Sequence, residues 1–381
     1  MLYLKQQHQA SHTLSLKVRL LILCSFKDPF GGLCAPQLTI NFRQITHRTP
    51  PMRILICRST KVSPVVRFLT HSAALVREND RENYFCTLLL PTSRQKFVMA
   101  LRAFNIELAQ IRDRINNADQ AKFRFQFWRD AVNSLFEPNL GHRGTPIERE
   151  LGESTVGLKL SKYHFTQLID ARQRHFNECG FDSLRAAQTY AEETNAPIHY
   201  LICEAYGLRS LAVDHALNHL GRAQGLVTLI RGAVPLAHRR RVILLPLDLL
   251  NQHHLSQELA LRLLRSSPSE STIEVDRNLC DLFFNLATVA REQAITASRL
   301  ASEHLSDVRV KPSGDKAGTN QLTQSLLPRL MLPLVPLTHF LCQFERKAHF
   351  DPRRLSLHPN GLLPLQLSWT AWRGRVPSVV N

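Results

Sequence analysis

Five arginines between residues 222 and 241 (Arg222, Arg231, Arg239, Arg240 and Arg241) are the side chains of this 381-residue chain best suited to chemistry. A guanidinium presents a planar fork of N–H donors that matches phosphate oxygens, so the group could hold a phosphorylated ligand. The same arginines could instead pair with Asp113, Glu192, Glu193 or Asp214 and tie helices together, and this second reading is preferred. The run from His238 to Arg241 suits a solvated loop or a docking surface for an acidic partner. His215 and His219 stand at the i, i+4 spacing of helical metal ligands, yet Ala216 follows the first where HExxH has Glu. No third ligand is placed by the sequence, so no metal site is expected. The chain has no glycine-rich phosphate loop and no GxSxG elbow, which removes support for nucleophilic catalysis.

The elements that must position these groups read as helices throughout. Phe97, Leu101, Phe104, Leu108, Ile111 and Ile115 recur at steps of four and three, a core-facing stripe over residues 97–115. Further helices are expected over 119–136, 161–176, 182–206, 210–231 and 272–305. Pro235 lacks a backbone donor and crowds the preceding turn, so the helix from 210 is expected to stop near Arg231. Loops are expected at 141–146, 266–271 and 311–320, where Gly, Pro and Ser gather. Low glycine content and long periodic segments together predict an all-α bundle in one domain.

Two of these segments carry a family resemblance. Residues 220–250 resemble the second substrate-binding motif of squalene and phytoene synthases, LGRAxQxTNILRDxxEDxxxGRxYLP. Gly221, Arg222 and Ala223 keep its opening, Arg231 its arginine, and Leu245-Pro246 its ending, with one extra leucine before the proline. Residues 100–114 resemble the first motif, AFCRxxDDxxD, through Ala103, Phe104 and Asp113. What the resemblance implies is an isoprenoid synthase fold, a helical bundle around a central cavity. In that family the acids hold Mg²⁺ against a departing diphosphate. Here Ala109 and Gln110 stand at two first-motif aspartate positions, and Gly232, Ala233, Val234, Pro235 and Leu236 fill the acidic part of the second. Tyr190 lies where the synthases line their prenyl tunnel; it serves either a residual pocket or a half-buried structural role.

A branch of the family, the synthase-like assembly factors of mitochondrial respiratory complex I, likewise lacks most of the motif acids. The chain resembles it through ENYFCTLLLP (82–91), FQFWRDAV (125–132), YAEETNAPIHYL (190–201) and LLPLQLSWTAWR (362–373). The resemblance implies a non-catalytic protein without cofactor or metal, whose partners are complex I subunits or assembly intermediates. It also leaves Arg222, Arg231, Arg241 and Tyr190 as candidates to hold a lipid or prenyl ligand in the cavity. The alternative is an active prenyltransferase acting on isoprenoid diphosphates.

Charge is unevenly placed. Of the net +17, residues 1–77 carry +10, from eleven Lys and Arg against Asp28 alone. A basic, acid-poor N-terminus has the composition of a mitochondrial transit peptide, and Met52 offers an alternative start. The synthase-like domain is expected over 78–375, with a divergent insertion near 308–340. Its remaining +7 makes nucleic acid an unneeded partner. The eight cysteines show no CxxC pair and read as buried reduced thiols. Residues 326–342 are apolar but contain Arg329 and three prolines, which predicts a broken core helix, so any membrane association would be peripheral. The expected location is the matrix side of the inner mitochondrial membrane.

Overall fold

The computed structural model describes residues 70–137, 144–266, 273–310, 317–355 and 360–379. The basic stretch up to residue 69, with Met52, lies outside the described residues, as does most of the three expected loops. Residues 317–320 of the third loop are not loop but the start of a helix.

Helix α1 (His71–Asn79) and α2 (Arg81–Leu88) share Asp80, whose backbone N–H donates to the Val76 carbonyl at the end of α1 and whose side chain accepts from the Asn83 N–H at the start of α2. The expected domain start at residue 78 falls inside α1, whose Val76 is fully buried. α3 (Gln95–Arg114) buries Phe97, Leu101, Phe104, Leu108 and Ile111, the stripe its periodicity predicts. α4 (Ala118–Leu135), capped by Asn117, presses Trp128 edge-on against Phe104, with ring centroids 5.2 Å apart. α5 (Pro146–Thr155) and α6 (Lys162–Arg174) complete this half.

The other half is built on three long helices. α7 (Leu184–Tyr206) ends at Gly207, whose φ of 75° is the left-handed conformation that glycine adopts without strain. α8 (Leu211–Arg240) packs between α7 and the 38-residue α11 (Ile273–Val310). Gly221 and Gly225 allow α8 and α7 to touch backbone to backbone: a Cβ on Gly225 would lie 2.4 Å from the Ala191 Cβ. Two short helices, α9 (Leu247–Gln252) and α10 (Gln257–Arg265), follow α8. A parallel bridge between Phe181 and Pro246 is the only extended pairing among the described residues.

α8 does not stop near Arg231. It runs through Pro235 to Arg240, and His238–Arg240 form its last turn rather than a loop. Ala233 and Ala237 continue the buried stripe of Leu226 and Ile230. That burial outweighs the local preference of one proline, and the basic last turn complements the helix dipole.

α12 (Ala317–Leu330) and α13 (Leu334–Arg346) meet at a turn over residues 331–333, the break that the prolines predict. Residues Asn320–Arg346 have the length and apolarity to cross a bilayer, but the turn interrupts them and both helices pack on α11. α14 (Leu363–Arg373) lies last, with Leu363 and Leu367 buried against Cys86 of α2 and Leu332.

Candidate functional site

A cavity of about 590 Å³ opens among α2, α3, α7, α8 and the start of α13. Its size lies in the range of small-molecule sites. Arg102, Ile106, Ala109 and Asp113 lie at i, i+4, i+7 and i+11, so one face of α3 forms a wall. Gly232, Pro235 and Leu236 of α8 line the same cavity, as do Gln110, Arg231 and Tyr190. The fold therefore brings both segments to one site, though their centres, residues 107 and 235, lie 128 residues apart with four helices between them.

The candidate arginines divide. Arg222 and Arg241 are not among the lining residues. Arg222 binds Glu192, Nε to Oε2 at 2.8 Å and Nη2 to Oε2 at 2.7 Å, an ion pair between α8 and α7. Arg231 does line the cavity, but both its Nη atoms are engaged by Glu82 of α2, at 2.8 and 3.0 Å. Its guanidinium also covers the Phe340 ring of α13 at 4.3 Å, so one side chain joins three helices. Arg240 donates to the Ile115 carbonyl at 2.9 Å and to Asn116, closing the end of α3. Tyr190 is half-buried and packs edge-on against His175, centroids 5.0 Å apart, while also lining the cavity, so its two readings coexist.

The carboxylates on the wall are Asp80, Glu82 and Asp113. Glu82 serves Arg231, and Asp80 accepts from the Asn83 N–H at 3.3 Å and from Nδ2 at 3.1 and 2.9 Å. Asp113 stands exposed at the outer end. Among the described residues no three His, Cys, Asp or Glu side chains gather as a ligand set. The rings of His215 and His219 lie 5.0 Å apart, and the Nδ1 of His219 is taken by Gln293 at 2.7 Å.

The wall also holds polar residues that no motif marks, among them Arg102, Arg172, His199 and Gln224. The available signal was Arg102 inside an otherwise apolar stretch, VMALRAF, of a core helix. His199 bonds Gln224 at 2.7 Å and is 2% exposed. Burial, helped by the positive charge of Arg102, lowers its pKa to about 4, with the Gln224 bond opposing, so the imidazole is neutral near pH 7. The thiol of Cys86 is pushed up to about 12 by burial, consistent with an inert core cysteine.

The squalene/phytoene synthase family model matches residues 76–313, and the chain belongs to that family. The fold agrees: a dehydrosqualene synthase in complex with ligand superposes with a TM-score of 0.61 at 12% identity, covering 80% of this chain and 95% of that one. A squalene synthase from Alicyclobacillus acidocaldarius gives 0.55 at 15% identity, covering 73% and 93%. Within the family, the chain falls among proteins named complex I assembly factor 6. It is 34% identical to the protein from Rattus norvegicus over 79% of this chain and 81% of that one. Identity to the Homo sapiens protein is 32% over 78% and 80%, and to the Drosophila melanogaster homolog 35% over 71% and 78%.

Proposed function

We propose that this chain is a non-catalytic assembly factor of mitochondrial respiratory complex I, working by binding rather than by prenyl transfer. The observation that carries the reading is a synthase cavity whose motif positions hold Ala109, Gln110, Gly232, Pro235 and Leu236, in a chain similar over four fifths of its length to assembly factors. Mg²⁺ takes carboxylate and water oxygens in near-octahedral order. Of the three wall carboxylates, two are already engaged, so the donor set does not fit the ion. The partners would be complex I subunits or assembly intermediates, and the basic leader would direct import.

The test is depletion of the protein from cells, with assembled complex I and NADH:ubiquinone activity measured beside the other respiratory complexes. A selective fall in complex I is expected, restored by the full chain but not by one starting at α1. Unchanged complex I would sink the reading. So would turnover of farnesyl diphosphate with Mg²⁺ by the purified chain, which would establish the prenyltransferase alternative.

A peripheral place on the inner membrane has its own support in α14. Leu365, Trp369 and Trp372, preceded by Leu362 at its N-cap, recur at steps of three and four on its outer face, with Trp369 59% and Trp372 76% exposed. The two indoles lie 5.1 Å apart, and Arg373 and Arg375 follow them. Tryptophans beside cations suit the headgroup region of an anionic bilayer. In flotation with phosphatidylcholine vesicles containing cardiolipin, W369S/W372S is expected to lower partitioning more than about tenfold, since burying one large apolar side chain is worth about 1.5–3 kcal/mol. Equal flotation of wild type and variant would refute this placement.

A further inference from the structure

Arg102 is 6% exposed, on the buried face of α3, and it lines the cavity. Its one hydrogen bond among the described residues runs from Nε to Thr87 Oγ1 at 3.1 Å. Thr87 in turn donates to the Asn83 carbonyl at 2.7 Å, which fixes the acceptor and hence the guanidinium. The remaining N–H donors of Arg102 meet no acceptor among the described residues, and it makes no ion pair there. Asp80, the carboxylate that acts on it most strongly, is held by Asn83 instead.

A buried charge without a partner is costly, and an apolar side chain of similar volume would be more stable in its place. The surroundings deepen the imbalance. Arg172 lines the same cavity and bonds only neutral acceptors: Asn105 Oδ1 at 2.7 Å and the carbonyls of Leu168 and Thr194 at 2.9 and 3.4 Å. Across the whole wall six arginines face three carboxylates, one of which is neutralised by Arg231. Two acceptors on the wall, Gln110 Oε1 and Asn83 Oδ1, are buried without a donor. Apolar surface from Ile106, Phe125, Phe176, Ile198 and Val227 completes the cavity.

We propose that the cavity binds a phosphate monoester directly on the Arg102 guanidinium, without a bridging metal, with a ligand hydroxyl on Asn83 and any apolar chain along the aliphatic wall. Arg102 lies eight residues from Gln110 on α3, roughly 12 Å along the axis, so this subsite is distinct from the motif positions at the other end of the wall. The proposal rests on the reading of the cavity as metal-free, but not on the complex I role.

The full chain, kept in EDTA, is titrated calorimetrically with oleoyl lysophosphatidate, with glycerol 3-phosphate, and with uncharged monooleoylglycerol. Lysophosphatidate is expected to bind once per chain. R102M should weaken it at least about tenfold, the scale of a charged hydrogen bond, while R102K stays within a few-fold. The melting temperature of R102M should be no lower than that of wild type, which a purely structural arginine would not allow. Tight binding of glycerol 3-phosphate with the same dependence on Arg102 supports the subsite and assigns its ligand to the soluble phosphates. Equal affinity of wild type and R102M overturns the subsite. Binding that appears only with Mg²⁺ overturns both the subsite and the metal-free reading. Phenylglyoxal labelling of wild type gives a check that needs no variant: lysophosphatidate should protect Arg102 from modification, and an unprotected Arg102 counts against the proposal.

Discussion

Gly225→Leu is expected to leave no cooperatively folded protein. A Cβ on Gly225 would sit 2.4 Å from the Cβ, 2.5 Å from the Cα and 2.8 Å from the carbonyl oxygen of Ala191. One turn earlier, a Cβ on Gly221 would sit 2.7 Å from the Ala196 nitrogen. These neighbours are mostly backbone of α7, so relief requires the two helices to separate, and with them the core between α7 and α11. One extra methyl at such a contact costs about 1–3 kcal/mol or more, and a leucine adds three further carbons to the clash. Domains of this kind are stable by only about 5–15 kcal/mol. Urea unfolding followed by circular dichroism should therefore show a lowered midpoint for G225A and no transition for G225L. Gly232 is the control on the same helix: nothing lies within 4 Å of its Cβ position. G232A should be neutral or stabilising by roughly 0.5–1 kcal/mol, the usual gain of alanine over glycine in a helix. A normal melt for G225L would mean that α7 and α8 are not in backbone contact.

Stability is also expected to fall steeply between pH 6.5 and 4 through His199. Its folded pKa is about 4, below the ordinary 6.5, because burial first and Arg102 second disfavour the imidazolium. Above pH 6.5 the ring is neutral in both states and its full contribution is present. As the pH drops through 6.5 the unfolded chain takes up a proton that the folded chain refuses, and unfolding gains. The loss approaches about 3 kcal/mol near pH 4 and then levels off. H199Q should flatten this part of the profile while other groups keep theirs, so the difference between the two chains at pH 7.5 and 4.5 isolates the residue. Parallel profiles would show that His199 can be protonated in the folded state.

The partnerships of the site show how far sequence reasoning reaches. Arg222 and Glu192 are 30 residues apart on successive helices, and Glu192 is one of the acids that the sequence offers that cluster. Glu82, the partner of Arg231, lies 149 residues away on α2, outside any local pattern. Nothing in a linear pattern says which of many exposed acids a distant helix will bring within 3 Å. Pro235 shows the opposite limit, where a local rule was legible and tertiary burial overrode it.

Taken by itself, the sequence determined the helices, because the 3.6-residue period of Phe97, Leu101, Phe104, Leu108 and Ile111 is a property of the chain alone. It also determined that positions 109, 110, 232, 235 and 236 carry no carboxylate, since side-chain identity needs no structure. Tertiary structure alone decided that Arg231 is neutralised, that α8 continues through Pro235, and that Arg102 faces a cavity without a counter-ion. Charge pairing and burial depend on distances between segments remote in sequence, and packing sets those distances only when the whole bundle closes.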